Sequence, residues 1–251
     1  MIQELSEREH SILNRLMVQG AVSVADLSSE LAVSEVTIRS DLSSLEERGL
    51  LSRTHGGALP SIHPHIFQRQ NMNIEEKHRI AKAAADLVED GDAIMIEAGT
   101  TTSLLPRYLA GKRDILIITN SIPAFESAKS NPALKITLVG GEFRDSTDSF
   151  VGRITLDTIR RFNVRCAFVG TDGFSLKSGI TTHLIEGGDV ISVMRERAEN
   201  LVLLADSSKY GKTGVVTILP LSQINTLITD TGLPDAAKEE LNQIPLHIIV
   251  C

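Results

Sequence analysis

Cysteine is scarce. The 251 residues hold two: Cys166, inside the apolar run Cys-Ala-Phe-Val, and Cys251, the last residue. Two thiols so far apart build neither a disulfide framework nor a cysteine metal cluster, and a reducing cytoplasm is the expected compartment. No apolar run approaches the roughly 18 residues needed to span a bilayer, so no membrane is expected as a partner. The opening Met-Ile-Gln-Glu-Leu-Ser-Glu-Arg-Glu is acidic and polar, unlike a signal peptide. Repeats and low-complexity tracts are missing too. Lysine is absent from residues 1–60, where five arginines face nine acids, a balance of −4 within a whole-chain charge of −7. Such a chain binds nucleic acid weakly by charge alone, so specific contacts and dimerisation must supply more of any affinity. What remains is ordinary. A hydrophobic fraction of 42% supports a substantial core, and the length suits one large domain or two unequal ones.

The most informative stretch is 34–57. Ser34 is a good N-cap, offering its hydroxyl to the free N–H groups of a first turn. Ile38, Leu42 and Leu45 fall on one helical stripe and should face a core. Thr37, Ser40 and Ser44 share a second face, with Arg39 beside it. Short side chains and hydrogen-bond donors suit a helix pressed into a major groove. Gly49 can end the helix in the left-handed conformation. Leu50–Arg53 then reads as a strand and His55-Gly56-Gly57 as a turn. Upstream, Ser6 and Glu9 have the spacing of a capping box. Residues 6–19 form a first helix with Ile12, Leu13 and Leu16 inward, stopped by Gly20. Val22-Ser23-Val24 is a short extended bridge. Ala25–Leu31 is a second helix with Leu27 and Leu31 inward, and Ala32-Val33 a tight turn. Three helices followed by a hairpin make a winged helix-turn-helix over residues 1–57. The pattern alone leaves a small helical oligomerisation domain as the alternative.

Arg8, Ile12 and Leu16, then Ser34, Thr37, Ile38, Arg39, Asp41 and Leu42, resemble in type and spacing the signature of the DeoR-type bacterial repressors. Arg53-Thr-His-Gly-Gly57 is similar to that family's wing. The resemblance implies double-stranded operator DNA as a partner. Ser34, Glu35, Thr37, Arg39 and Ser40 would be the contacting residues of the helix, and Arg53, His55 and Gly56 those of the wing.

Residues 58–74 read as a linker, because Pro60, Pro64 and a run of Gln, Asn and His break any apolar period. His63 and His65 have no acid or cysteine cluster beside them, and no metal is expected. Phe67-Gln-Arg-Gln reads as a connector packing on one domain. From residue 75 to 251, helices alternate with short apolar strands. The helices are expected at 75–88, 103–109, 123–129, 152–162, 189–199 and 234–243. The strands are expected at 93–97, 115–119, 135–139, 165–169, 201–205, 226–230 and 247–250. That pattern is an α/β class, a mostly parallel sheet covered on both faces.

Open α/β sheets collect ligands at the carboxyl ends of their strands. Glu97-Ala-Gly99-Thr100-Thr101 joins a strand to a helix start, where free N–H groups, threonine hydroxyls and the helix dipole hold an anion or where threonine simply caps. Thr119-Asn120-Ser121 repeats the arrangement. Gly140-Gly141 is a turn, Gly170-Thr-Asp172-Gly173 brings a carboxylate, and Asp206-Ser-Ser-Lys209 brings a cation. This half resembles the sugar-phosphate-sensing domain of the DeoR family, itself similar to ribose-5-phosphate isomerase. The resemblance implies a small-molecule effector, a sugar phosphate or related metabolite, and no cofactor. Gly99, Thr100 and Thr101 would hold phosphate, with Asn120 nearby. Asp172 and Glu186 would bind sugar hydroxyls and Lys209 an effector oxygen. Glu97, Gly141 and Gly173 complete the candidate pocket. Some positions depart from the family's pattern: Glu97 stands where Asp is usual, Leu184 where Asn is common, and Ile191 and Ser192 where basic residues are common. The reading is a cytoplasmic repressor of sugar catabolism, not an enzyme, assembled as a dimer or tetramer. Its rivals are a sugar-phosphate isomerase using Asp172, Glu186 and Lys209 as acid–base groups, and a DNA-binding module whose α/β half only oligomerises.

Overall fold

Serine caps set the helices of the N-terminal part. The computed structural model describes residues 5–60 and 64–251, and the chain divides into two compact units, Met1–Arg69 and Gln70–Cys251. In the first, Ser6 caps α1 (Glu7–Gln19) with both halves of the capping box in place. Ser23 closes the two-residue β1 (Val22–Ser23) and caps α2 (Val24–Glu30). Ser34 caps α3 (Glu35–Glu47), which Gly49 follows at φ +70°. β2 (Leu51–Thr54) and β3 (Gly57–Pro60) form the wing, and β1 adds to β3 in the antiparallel order β1-β3-β2. Ile12, Leu13 and Leu16 meet Leu27, Ile38, Leu42 and Leu45 in one core. Each fully buried side chain of this kind is worth roughly 1.5–3 kcal/mol. Together they easily outweigh the roughly 1–2 kcal/mol of the left-handed Ala32 (φ +53°) in the turn between α2 and α3. The Ser28 hydroxyl helps hold that turn, donating to the Val33 carbonyl at 2.6 Å.

The stretch 58–74 is not a linker throughout. Its start belongs to β3, and α4 (Pro64–Asn71) runs across the division between the units. Pro64 opens this helix, where proline's missing N–H has no intrahelical partner to lose. Phe67 is buried in the winged-helix core, as a packing connector requires. Of the two histidines set aside as metal ligands, His63 lies outside the described residues and His65 falls in α4.

The second unit is built on a single sheet of seven parallel strands in the order β15-β14-β12-β9-β4-β5-β6. In chain order its elements are α5 (Ile74–Asp86), β4 (Ala93–Ile96), a 3₁₀ helix (Thr102–Tyr108), β5 (Ile115–Thr119), α6 (Ile122–Ala128), β6 (Leu134–Leu138), β7 (Glu142–Arg144), β8 (Ser149–Val151), α7 (Arg153–Ile159), β9 (Val164–Val169), β10 (Gly173–Ser175), β11 (Gly179–Thr182), α8 (Ile185–Arg197), β12 (Ala198–Leu204), a 3₁₀ turn (Ser207–Lys209), β13 (Val216–Leu219), β14 (Thr226–Thr229), α9 (Asp235–Leu241) and β15 (His247–Val250). Side chains alternate between two cores. Ile94, Ile96, Cys166 and Phe168 pack with α5 and α6, while Met95, Ala167 and Val169 pack with α7, α8 and α9.

Three features differ from the sequence expectation. The 103–109 helix is 3₁₀, with Pro106 inside it. Proline has no N–H and its ring clashes with the carbonyl four residues back, so an α-helix does not form there. α8 starts at Ile185 rather than at 189, taking in Gly187 and Gly188. Glycine costs a helix roughly 1 kcal/mol, but Gly188 is buried in α8, close beside Ile218 and Thr182. Antiparallel pieces also appear: the ribbon β7–β8 and the small sheet β10-β11-β13. Their strands of three or four residues are too short to show a period in sequence.

At the amino ends of the strands, Arg165 of β9 ties down the turn before β4. Its Nε donates to Asp92 at 2.7 Å and its Nη2 to the Leu87 carbonyl at 2.5 Å, and the Glu89 N–H also donates to Asp92. Arg165 is the main reason the Asp92 carboxyl titrates below its usual range; burial opposes and the Glu89 N–H reinforces. A depressed folded pKa stabilises the native state above the unfolded carboxylate's value, about pH 4, and that stability is lost as pH falls through the lower folded value. Asp92→Ala should therefore cost about 1–3 kcal/mol in urea unfolding at neutral pH. The gap to the wild-type chain should close as the pH is lowered below about 4, and a gap independent of pH would contradict the assignment.

Candidate nucleic-acid interface and effector cleft

The exposed side of α3 is set by its own cap. The Ser34 hydroxyl accepts from the Thr37 N–H at 3.1 Å and lies 2.9 Å from the Thr37 hydroxyl. Arg39 is exposed and pairs with Glu35 at 2.6 Å, one helical turn back. Ser40 is exposed, as is Val36. Ser44 is not on this surface: its hydroxyl donates inward to Glu9 at 2.9 Å. Burial opposes ionisation of Glu9. The Ser6 N–H, the Ser44 and Ser6 hydroxyls and Arg48 nevertheless hold its carboxyl below the usual range. Arg8 and Asp41 form a two-bond ion pair that fastens α1 to α3, so these two signature residues serve the fold. In the wing, Arg53 donates from Nη1 to Ser43 at 2.7 Å and from its backbone to Glu46 at 2.8 Å. His55 and Gly56 are exposed at the tip. The glycine that sterics demand is Gly57, where a Cβ would lie 1.8 Å from the Val22 carbonyl oxygen, while Gly56 has open space.

In the second unit the parallel sheet sends Glu97, Asn120, Gly170 and Asp206 out from the carboxyl ends of β4, β5, β9 and β12. A narrow cleft lies there, lined by Glu97, Ala98, Asn120, Arg144, Thr147, Ser149, Val151, Leu184, Glu186 and Gly187. Buried Glu97 accepts from the Gly170 N–H at 3.2 Å. Asn120 is 2% exposed. Its Nδ2 donates to the Phe150 carbonyl at 2.9 Å, and its carbonyl accepts from the Phe150 N–H. Its side-chain Oδ1 is buried and finds no partner among the described residues. Arg144, on β7, pairs through Nη2 with Glu186 in the first turn of α8, and its Nε is likewise buried without a partner. Thr147 and Ser149 bond to each other at 2.8 Å.

Of the ten effector candidates, Glu97, Asn120 and Glu186 line this cleft together. The others do not. Gly99 lies where a Cβ would be 2.9 Å from the Thr102 hydroxyl, which itself donates toward the Glu97 and Gly99 carbonyls. Thr100 is half-buried and Thr101 buried, ahead of a 3₁₀ helix whose short run gives less of a macrodipole than the expected α-helix. Gly141 and Gly173 are packing positions, with Thr155 and the Lys212 backbone where a side chain would go. Asp172 accepts from the Thr182 hydroxyl at 3.1 Å and the His183 N–H at 2.9 Å. Lys209 ends the 3₁₀ turn; beside it Asp206 accepts from Asn73 and from Ser208. The next residue, Tyr210, donates to Glu240, which pushes its hydroxyl up to about 12. Tyr108 lies 2.6 Å from His78 Nδ1, and burial followed by Arg107 lowers that histidine's pKa. Arg144, Thr147 and Ser149 were not foreseen. Their signal was slight: Glu-Phe-Arg and Ser-Phe-Val flanking the turn residues Asp145 to Asp148. No group of three metal-binding side chains occurs among the described residues.

A winged helix-turn-helix followed by an α/β unit with a polar cleft at its strand ends defines a DNA-binding transcriptional regulator with a small-molecule-sensing domain. The family model "DeoR-like helix-turn-helix domain" matches residues 8–62 and "DeoR C terminal sensor domain" matches residues 72–231. The chain is 31% identical to the putative aga operon transcriptional repressor of Escherichia coli O157:H7, over 98% of this chain and 93% of that protein. It is 36% identical to the lactose phosphotransferase system repressor of Streptococcus mutans, over 89% and 91%. It is 32% identical to the regulator GlpR of Haloferax volcanii, over 97% of each. The protein belongs to the DeoR family of transcriptional regulators, and these relatives are regulators rather than enzymes. Ribose 5-phosphate isomerase A of Methanocaldococcus jannaschii is similar over 55% of each chain, at 20% identity and a TM-score of 0.41, too distant to bear on activity. No helix among the described residues is long and apolar enough to cross a membrane.

Proposed function

We propose that this regulator represses genes of sugar catabolism from the cytoplasm and releases its operator when a sugar phosphate or related metabolite occupies the α/β unit. The observation that carries the proposal is the cleft at the strand ends, where a fully buried amide oxygen on Asn120 waits for a donor. A buried polar atom left unpaired costs about 1–3 kcal/mol, which a bound ligand recovers. The relatives named as aga operon and lactose phosphotransferase system repressors fit sugar-linked genes. Hydroxyl-reading groups (Asn120, Glu97, Glu186) line the cleft. The loop Gly99-Thr100-Thr101 and Lys209 take the anionic end, with Asp172, Gly141 and Gly173 shaping the surroundings. On the DNA side, Ser34, Glu35, Thr37, Arg39 and Ser40 meet the major groove, and Arg53, His55 and Gly56 meet the flanking backbone. Effector binding shifts a two-state equilibrium between operator-competent and incompetent forms.

Arg39→Ala should weaken operator binding in a folded chain, since a bidentate guanine contact is worth about 1–3 kcal/mol of discrimination. If Arg39 meets phosphate instead, gel-shift titrations should weaken for every sequence and the salt slope flatten by about one unit. Unchanged operator affinity rejects both roles.

A winged helix with a net acidic charge holds DNA poorly as one copy, so the working species is a dimer or tetramer formed mainly through residues 75–251. Its operators should carry repeated half-sites. Light scattering that shows a monomer still bound tightly to operator would sink this part.

Lys209→Ala should leave operator binding intact without effector and lower effector affinity about tenfold to a hundredfold, the loss of one charge-assisted hydrogen bond. The readout is operator affinity with and without sugar phosphate, for both proteins. A variant that releases DNA at the wild-type effector concentration places Lys209 outside the pocket.

A further inference from the structure

Two buried polar atoms on residues that line the cleft find no partner among the described residues, and they are of opposite kind. Asn120 Oδ1 is an acceptor in need of a donor. Its amide orientation is fixed, because Nδ2 already donates to the Phe150 carbonyl at 2.9 Å. Arg144 Nε is a donor in need of an acceptor, while Nη2 of the same guanidinium is paired with Glu186. Both residues line the same cleft. The β7–β8 ribbon that carries Arg144 is fastened to the end of β5, with the Phe150 N–H donating to the Asn120 carbonyl and Ser121 bridging Ser149.

A phosphate oxygen would satisfy Arg144 but offers Asn120 no donor. It would also stand in a cleft that Glu97 and Glu186 already line with carboxylates. An ammonium satisfies Asn120 and offers Arg144 no acceptor. A hydroxyl does both, donating its proton and accepting on its oxygen. We propose that Arg144 and Asn120 form the hydroxyl-reading end of the effector site, Arg144 being the specificity-determining residue and Glu186 the residue that positions it. This rests on the sensor reading above and adds to it the end of the effector that the β7–β8 ribbon inspects: a sugar or polyol carbon bearing a free hydroxyl. The anionic end then lies away from the ribbon. Val151 and Leu184 supply apolar wall for the carbon chain. A single water is the other species with the right donor and acceptor, and it would give no discrimination among effectors.

The test is a thermodynamic cycle on the full-length chain. Calorimetric titration of the wild-type protein with ribose 5-phosphate, glucose 6-phosphate and galactose 6-phosphate finds the member that binds most tightly, and its monodeoxy analogues are then titrated in turn. One deoxy position should cost the wild type about tenfold or more. Arg144→Lys keeps a cation for Glu186 but has no Nε–H. It should lower affinity for the parent by a similar factor and bind that one deoxy analogue nearly as the wild type does. Other deoxy positions should cost both proteins equally. Where Arg144→Lys is shown by circular dichroism to be misfolded, Arg144→Met, which carries no N–H, takes its place with the same expectation. Equal losses in variant and wild type at every deoxy position, or a variant that binds the parent as the wild type does, overturn the assignment and leave the sensor reading standing. Failure of the wild type to bind any of the three phosphates overturns the sensor reading itself and this assignment with it.

Discussion

When all seven strands of a sheet run the same way, their carboxyl ends meet at one edge. Backbone groups there leave the ladder together, and each needs a partner from a loop. Most find one. The Thr119 hydroxyl closes onto the Ile96 carbonyl at 2.6 Å, Thr102 onto Glu97, and Thr171 onto Gly173 and Thr181. These threonines and their neighbours knit the edge into a rigid rim. The cleft is the part of the rim where knitting stops. Asn120 and Arg144 each spend one group on the fold and keep one in reserve. Rigidity and unmet hydrogen-bonding capacity at one place are what a binding site needs, because a preformed site spends little of its affinity on ordering itself.

The first unit depends on a smaller version of the same principle. Glu9 gathers the Ser6 N–H and the Ser44 hydroxyl, with Arg48 near it, and Arg8 fastens Asp41. Residues that look chemically available in sequence are thus consumed in fixing α3 against α1. What stays exposed is Arg39, Ser40 and the wing tip. An acidic winged helix whose few cations are either structural or at the recognition surface has little charge left for indiscriminate binding.

How much was legible in the sequence follows from the range of the forces. Caps are local. Ser6, Ser34 and the glycine after α3 were readable because each acts within one turn of the helix end it sets. The parallel sheet was readable because its strands are buried on both faces and so are continuously apolar. The 3₁₀ helix after Thr101 was misread although its cause, Pro106, is in plain sight: the proline's effect depends on a carbonyl four residues back. The start of α8 was misplaced because Gly187 and Gly188 read as a stop, while in the fold Gly188 is buried beside Ile218, thirty residues on. The β7–β8 ribbon escaped because its strands of three residues show no period and it is anchored from outside, at Asn120 and Ser121. Hence the cleft's floor was foreseen in Glu97 and Asn120, and its far wall, Arg144 with Thr147 and Ser149, was not.

The chain has no tryptophan, so near-ultraviolet emission comes from Tyr108 and Tyr210 alone. Tyr108 closes the 3₁₀ helix that begins just after the Gly99-Thr100-Thr101 loop, in contact with His78, and Tyr210 follows Lys209 and donates to the Glu240 carboxylate. A carboxylate acceptor quenches tyrosine by drawing on its phenolic proton. Tyr210 stands beside a strand-end loop and Tyr108 at the far end of the helix that follows another, so the unlabelled protein carries its own optical reporters in these two segments.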